Sequence, residues 1–397
     1  MCNLLGKRIA FICLLSATTP SLHAQEWVSV TGRENLTDLV SGTTAEIELQ
    51  DGQTAVGYYA PDGTARIEAW GEVFPRTWRV QGEDQVCYTS AEEQTNCFTF
   101  EQDRTEPGLY RVRNVGTGEV TRFQVSGERL AGSQGGAPAG LIRPSAGEIA
   151  AELSNPNTAM GTMNFNLDYI AYDGDLPGAG SQDATRLLFQ PSLPYPLSET
   201  TNLFMRPAIP IIVKQDVPSR LGEYDKVTGE LGDIGFDLAL GKSLPGGIVL
   251  LGGLTGTLPT ATDDRIGLDQ YLLGPEVAVG MVRPWGVVGA LITQQWDVAG
   301  ENDYDTNITG GQYFYAVNLG GGWQINGSPT FSYNHEARNH DNRLTFPLAV
   351  GVSRTLILGG RPWKFGAQYW HYVESPDDFG PDYQIRFSVS PVVALPW

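Results

Sequence analysis

Residues 383–397 read Tyr383-Gln384-Ile385-Arg386-Phe387-Ser388-Val389-Ser390-Pro391-Val392-Val393-Ala394-Leu395-Pro396-Trp397. Every odd-numbered position is apolar, and the even positions are polar or small over most of the stretch. Side chains of a strand leave on alternate faces, so this period of two predicts a strand standing between two different solvents.

Upstream the same period recurs. Met163, Phe165, Leu167 and Tyr169 alternate with Thr162, Asn164, Asn166 and Asp168, and Ile234, Phe236, Leu238 and Leu240 alternate around Asp233 and Asp237. The pattern predicts about twelve strands, near 159–169, 185–197, 203–213, 231–243, 247–257, 270–282, 286–297, 311–323, 328–335, 344–356, 363–373 and 383–397. Each has about the length a tilted strand needs to cross a bilayer. The connections alternate long (170–184, 214–230, 258–269, 298–310, 336–343, 374–382) and short (198–202, 244–246, 283–285, 324–327, 357–362). Trp285, Trp323, Trp363 and Trp397 fall at the short-turn ends, and Tyr169, Trp296, Tyr333, Tyr369 and Tyr383 at the opposite ends. Two aromatic girdles and one-sided loop lengths belong to outer-membrane barrels. A soluble sandwich explains the alternation but not these asymmetries. The expected fold is all-β: an antiparallel transmembrane β-barrel of about twelve strands at 157–397, with Phe387 and Trp397 in its closing strand. An even strand count puts both barrel ends on the periplasmic side, and the preceding domain with them.

Bulk composition agrees. Hydrophobic residues make up 41% and mean hydropathy is -0.19, and no apolar run is long enough for a spanning helix. The 48 glycines and 25 prolines suit many turns and strand bends. The formal charge of -19 argues against nucleic acid as a partner. At the start, Lys7 and Arg8 precede the short apolar run Ile9 to Ala17, and Leu22-His23-Ala24 offers a small residue for cleavage. A signal peptide at 1–24 is expected, carrying Cys2 and Cys13 away with it. Only Cys87 and Cys97 then remain, and an exported pair is most simply one disulfide.

Residues 25–130 read as a small periplasmic β-rich domain. A brief helix is expected at Glu34 to Leu39. Pro61-Asp62-Gly63-Thr64 and Gly116-Thr117-Gly118 mark two hairpins, with the disulfide across one edge. Its Trp and Tyr residues are expected in a core. Residues 131–156 have the Gly, Pro and Ala content of a linker, with two helical turns at Ala146 to Leu153 and no role assigned.

Several segments from about 156 to 397 resemble a bacterial outer-membrane family labelled MetA-pathway of phenol degradation, whose members also carry the labels transporter and neuromedin U. The matching stretches are Leu231-Gly232-Asp233-Ile234, Leu258-Pro259-Thr260-Ala261-Thr262-Asp263, Leu273-Gly274-Pro275 and Trp285 to Leu291, then Tyr372-Val373-Glu374-Ser375-Pro376-Asp377 and Gly380-Pro381-Asp382 with Arg386-Phe387. The resemblance implies a barrel with a transport-like role and brings no catalytic residues. It connects the chain only loosely to hydrophobic compounds, and the domain at 25–130 is an addition to the family pattern.

The residues hold no nucleophile elbow, P-loop or His-Glu-x-x-His. His335, Glu336, His340 and Asp341 share one loop, which polar loop tips produce by chance; no metal and no cofactor is expected. His371 with Ser353 or Ser375 is the remaining hydrolase combination, and no motif supports it. Charge at membrane depth must turn from lipid. Arg186, Arg206, Asp168, Asp233, Asp237, Glu276, Lys364 and Arg386 are therefore expected in the lumen. With the acidic loops, Asp168, Asp233 and Asp237 predict a negative outer vestibule and mild cation preference.

The functional expectation is passage or binding of small molecules, some hydrophobic or aromatic, across the outer membrane of a Gram-negative cell. The alternatives are a closed barrel anchoring a periplasmic interaction domain and, less favoured, an outer-membrane hydrolase. Expected partners are outer-membrane lipid and lipopolysaccharide, the barrel-assembly machinery and an unidentified solute.

Overall fold

In the computed structural model the described residues are 27–48, 54–90, 95–105, 109–118, 120–124, 144–220, 222–300 and 304–397. The expected signal peptide and the first half of the expected linker lie outside them. Two sheets account for the rest: a nine-stranded antiparallel sheet within 27–124 and a closed antiparallel barrel from 161 to 393. Among the described residues no helix is long and apolar enough to cross a membrane.

The first sheet is built from successive hairpins. Thr54–Tyr59 and Thr64–Ala69 flank the Pro61-Asp62-Gly63 turn, where Asp62 Oδ1 accepts from the Thr64 amide at 2.9 Å. Its inner face carries Tyr59, Ile67, Phe74, Trp78, Tyr88 and Phe100, all buried, with helix α1 (Arg33–Val40) packing Leu36 and Val40 onto them. Cys87 and Cys97 are bonded directly across from each other. They do not lie at an edge as expected, because both of their strands have neighbours on either side. Trp27–Val30 extends the sheet by pairing with Thr95–Asp103.

The barrel has twelve staves. They are 161–173, 183–198, Thr201–Arg220, 223–244, Ile248–Leu258, Gln270–Arg283, Gly286–Gly300, Asn307–Gly320, 323–334, Leu344–Leu358, Arg361–Glu374 and Gly380–Val393. Closure is direct: Leu167 lies opposite Phe387, Asp168 opposite Arg386 and Gly161 opposite Val393. Two staves are interrupted where Pro191 and Pro329 remove a ladder donor. The turn Gly359-Gly360 has positive φ at both residues, which a two-residue hairpin between Leu358 and Arg361 requires.

Two expected boundaries change. The closing strand stops at Val393 rather than running to Trp397; the last residues instead carry the Trp397 ring onto Tyr195, its Nε1 donating to Pro194 O at 2.8 Å. The expected loop 214–230 is mostly a β-hairpin, Thr201–Arg220 pairing with Glu223–Val227 beyond the barrel wall. Its polar residues do not oppose strand formation, because both faces of that extension meet water and only Val217 and Val227 pack with Ile212.

The barrel is turned inside out relative to the first sheet. Large apolar side chains such as Leu167, Leu238, Leu254, Val277, Ile292, Val350 and Phe387 are exposed on its exterior, whereas among the described residues of the first sheet only Tyr58, Val73, Val115 and Val120 are. A soluble surface does not carry so large an apolar belt; a bilayer-facing wall does. Trp285, Trp323 and Trp397 are exposed at the short-turn end, Trp363 is half-buried there, and Tyr169, Trp296 and Tyr369 are exposed toward the long-loop end.

The segment read as a linker is the joint between the two bodies. Helix α2 (Ala146–Glu152) opens with a capping box in which Ser145 Oγ accepts from the Glu148 amide at 3.2 Å and Glu148 accepts from the Ser145 amide at 2.8 Å. One face of the joint completes the apolar core of the first sheet, where Ile149 and Met160, together with Val392 of the last stave, join Leu36 and Tyr59. Complete burial of Ile149 alone stabilises this docking by roughly 1.5–3 kcal/mol. Glu148 forms a buried ion pair with Arg76, its Oε2 accepting from Nη2 at 2.6 Å.

Candidate functional site

The polar face of the joint enters the short-turn mouth of the barrel. Gln324 Nε2 donates to Ala150 O at 3.0 Å, and Lys364 Nζ donates to Ser154 Oγ at 3.1 Å. Asn157 Nδ2 donates to Thr200 O at 3.1 Å and to Ser243 Oγ at 2.8 Å. Asn202 Nδ2 donates to Asn157 O at 2.8 Å. Residues 145–160 thus form a plug held by side chains from staves on several sides of the wall. The sequence carried one signal for it, the Ser145-x-x-Glu148 capping box; its contacts with the wall come from residues up to 210 positions away.

Above the plug lies a cavity of about 330 Å³. Its wall is mixed. Phe204, Leu251, Leu291 and Phe314 supply apolar surface, and Asn326, Ser353, Gln368 and Ser388 supply amides and hydroxyls. Its charged lining residues are Arg206, Lys364 and Arg386, with no Asp or Glu.

The expected lumen residues fall into three groups. Asp168 and Arg386 meet as a bidentate pair, with Nε to Oδ1 at 2.6 Å and Nη2 to Oδ2 at 2.8 Å, and the guanidinium lies 4.5 Å from the Trp370 ring centroid. Arg186 lies across from Asp168 on the other side, so one row of three staves reads Arg186, Asp168, Arg386. Arg206 donates to Asp237 at 2.9 Å, directly opposite it in register. Glu276 is 2% exposed and sits among small neighbours, Gly253 and Thr293. Lys364 has no carboxylate within ion-pair distance among the described residues.

Asp233 differs from its expected role. Its Oδ1 accepts from the amides of Thr260 and Ala261 at 3.0 Å each, and its Oδ2 from that of Leu268 at 2.8 Å. It organises the long loop 259–269 instead of facing a path through the lumen. The carboxylates expected to make the lumen cation-preferring are therefore engaged, and the residues that reach the cavity are cationic.

Trp370 is a lumen residue that the sequence reading left unassigned. It is buried on the lumen side, donating from Nε1 to Gln368 Oε1 at 2.9 Å. Parity shows why: Tyr369 and Val373 are exposed outside, so even positions of that stave turn inward. The same parity separates the hydrolase combination, since His371 is exposed on the outer face and Ser353 is buried on the inner one. His335 is engaged with Thr309 Oγ1 at 2.8 Å, and the described residues hold no cluster of metal-ligating side chains.

No protein family and no curated protein matches the chain. Among solved structures, an outer membrane channel from Pseudomonas putida F1 is similar at 13% identity and a TM-score of 0.48, over 59% of this chain and 95% of that one. The NanC porin is similar at 9% identity and a TM-score of 0.38, over 59% and 100%. The CymD monoaromatic hydrocarbon channel gives 13% identity and a TM-score of 0.24, over 93% and 95%. The barrel fold is established by its own closed cycle of strand pairings, independently of these similarities.

Proposed function

We propose that the chain is an outer-membrane barrel that takes up small molecules into its lumen and passes them under control of the 145–160 plug. The observation that carries this reading is a cavity of about 330 Å³, lined by amides and hydroxyls as well as apolar side chains, inside a barrel whose outside is apolar. A barrel serving only as an anchor gains nothing from a row of amides and hydroxyls around an internal space, whereas a solute path needs one. The short-turn end belongs in the periplasm on this reading, and the first sheet with it, docked against the plug. Membership of the phenol-degradation family is part of the proposal. It suggests an aromatic cargo, and the polar wall favours one that also bears polar groups.

The plug supports the second reading, a closed barrel that holds a periplasmic domain. Conductance in planar bilayers separates the two. Wild-type protein should show small or rare openings, and the double variant Asn157→Ala with Gln324→Ala should open more, since these side chains hold the plug to the wall. Absence of conductance in both, with folding verified by heat-modifiable gel mobility, would leave the anchor.

A further inference from the structure

In a chain of net charge -19, a cavity lined by three cations and no carboxylate is a marked inversion of sign. Two of these cations are matched: Arg386 by Asp168 and Arg206 by Asp237. Lys364 is different. Its ammonium donates to the Ser154 hydroxyl of the plug, a neutral acceptor, and no carboxylate approaches it among the described residues. An ammonium has three donors, and a hydroxyl satisfies only one.

A second group is incomplete on the same wall. Asn326 is 8% exposed, its Nδ2 donates to Ser353 Oγ at 2.6 Å, and its Oδ1 has no partner among the described residues. A buried acceptor without a donor is costly, and such an atom marks a place where a ligand donor gains. The same cavity is lined by Phe314 and Leu291, apolar surface suited to a flat or aliphatic body. The volume is at the small end of ligand sites.

We propose that the cavity is a binding site for a small organic anion that carries a hydroxyl group on an apolar body. Its carboxylate pairs with Lys364 and its hydroxyl donates toward Asn326 Oδ1. The inference deepens the reading of the lumen as a solute site and rests on it. It also gives the plug a chemical link to the cargo, because the carboxylate and the Ser154 hydroxyl would share the Lys364 ammonium.

The test uses the full mature chain in detergent, with 4-hydroxybenzoate, benzoate and neutral 4-hydroxybenzamide as probes and calorimetry as the readout. The wild type should bind 4-hydroxybenzoate more tightly than either other probe. Lys364→Met should weaken it by about tenfold or more, the effect of losing a charge-assisted contact, and Lys364→Arg should retain most of it. Asn326→Leu should erase the difference between 4-hydroxybenzoate and benzoate. Equal binding of the acid and the amide, or an unchanged affinity in folded Lys364→Met, would overturn the proposal. Conductance is measured on the same preparations. A barrel that conducts but does not prefer the acid removes this inference and leaves the channel. A barrel that binds the acid but never conducts removes the channel and leaves the site.

Discussion

Val277 tests the orientation of the whole wall. It is the eighth of 14 residues in the stave Gln270–Arg283 and is 59% exposed on the outer face, between Gly252 and Ile292. Its neighbour Ala278 turns inward and lines the cavity. In Val277→Lys the ammonium starts near mid-stave. Half of the stave is about 23 Å of chain at roughly 3.3 Å per residue, too far for a lysine stem to reach water at either rim even with tilt. A lysine facing lipid at the midplane costs such barrels about 2–4 kcal/mol. That lowers the folding equilibrium constant by about 30- to 700-fold. Ala278→Lys puts the same charge into the cavity that Arg206, Lys364 and Arg386 line, where it meets like charge but no lipid, and should cost less than Val277→Lys. Guanidinium unfolding in phospholipid vesicles, followed by tryptophan fluorescence, measures both. Comparable losses, or a larger loss in Ala278→Lys, would refute the assignment of faces and with it the membrane reading of the exterior belt.

Deleting Trp397 removes the Tyr195 and Pro194 contacts that tie the last stave to the second across the closing seam, and should reduce heat-modifiable barrel in membranes more than Cys87→Ala with Cys97→Ala, which acts within the separate sheet. Glu148→Ala removes the buried carboxylate that pairs with Arg76 and one half of the capping box. It should destabilise docking of the first sheet by about 3–5 kcal/mol, seen as faster release of a soluble fragment by protease, while Arg76→Leu with Glu148→Leu should lie closer to wild type. At the same joint, burial and the neighbouring Glu152 carboxylate push the Glu72 carboxyl up to about 8. A carboxyl raised in the folded state stabilises docking fully below its ordinary value near 4.5, and that contribution is lost as pH rises through about 8. Protease release should therefore quicken as pH rises from about 4.5 to about 8, and Glu72→Gln should flatten the dependence; an unchanged slope in the variant would assign the effect elsewhere.

The sequence by itself determined the barrel. Alternation at residues 163–169, 234–240 and 383–393 depends on which solvent each face meets, a property local to each strand, so it reads directly from spacing. Parity carries the charges with their strands, so the spacing also supplied the candidates for the lumen. Cys87 and Cys97 were fixed by simple exclusion of other partners. Tertiary structure decided what those charges do. Whether Asp233 faces a path or caps a loop depends on the amides of Thr260, Ala261 and Leu268, which only the fold brings to it. The helical turns of the plug were legible, but its role was not, for the same reason. Residues 146–160 have no face that is apolar along its length; they pack Ile149 and Met160 on one body and hydrogen-bond Ser154 and Asn157 to another. A segment shared between two partners shows no periodicity of its own, because each partner imposes a different pattern on it, and the contacts that give it a role are made by strands far away in the chain.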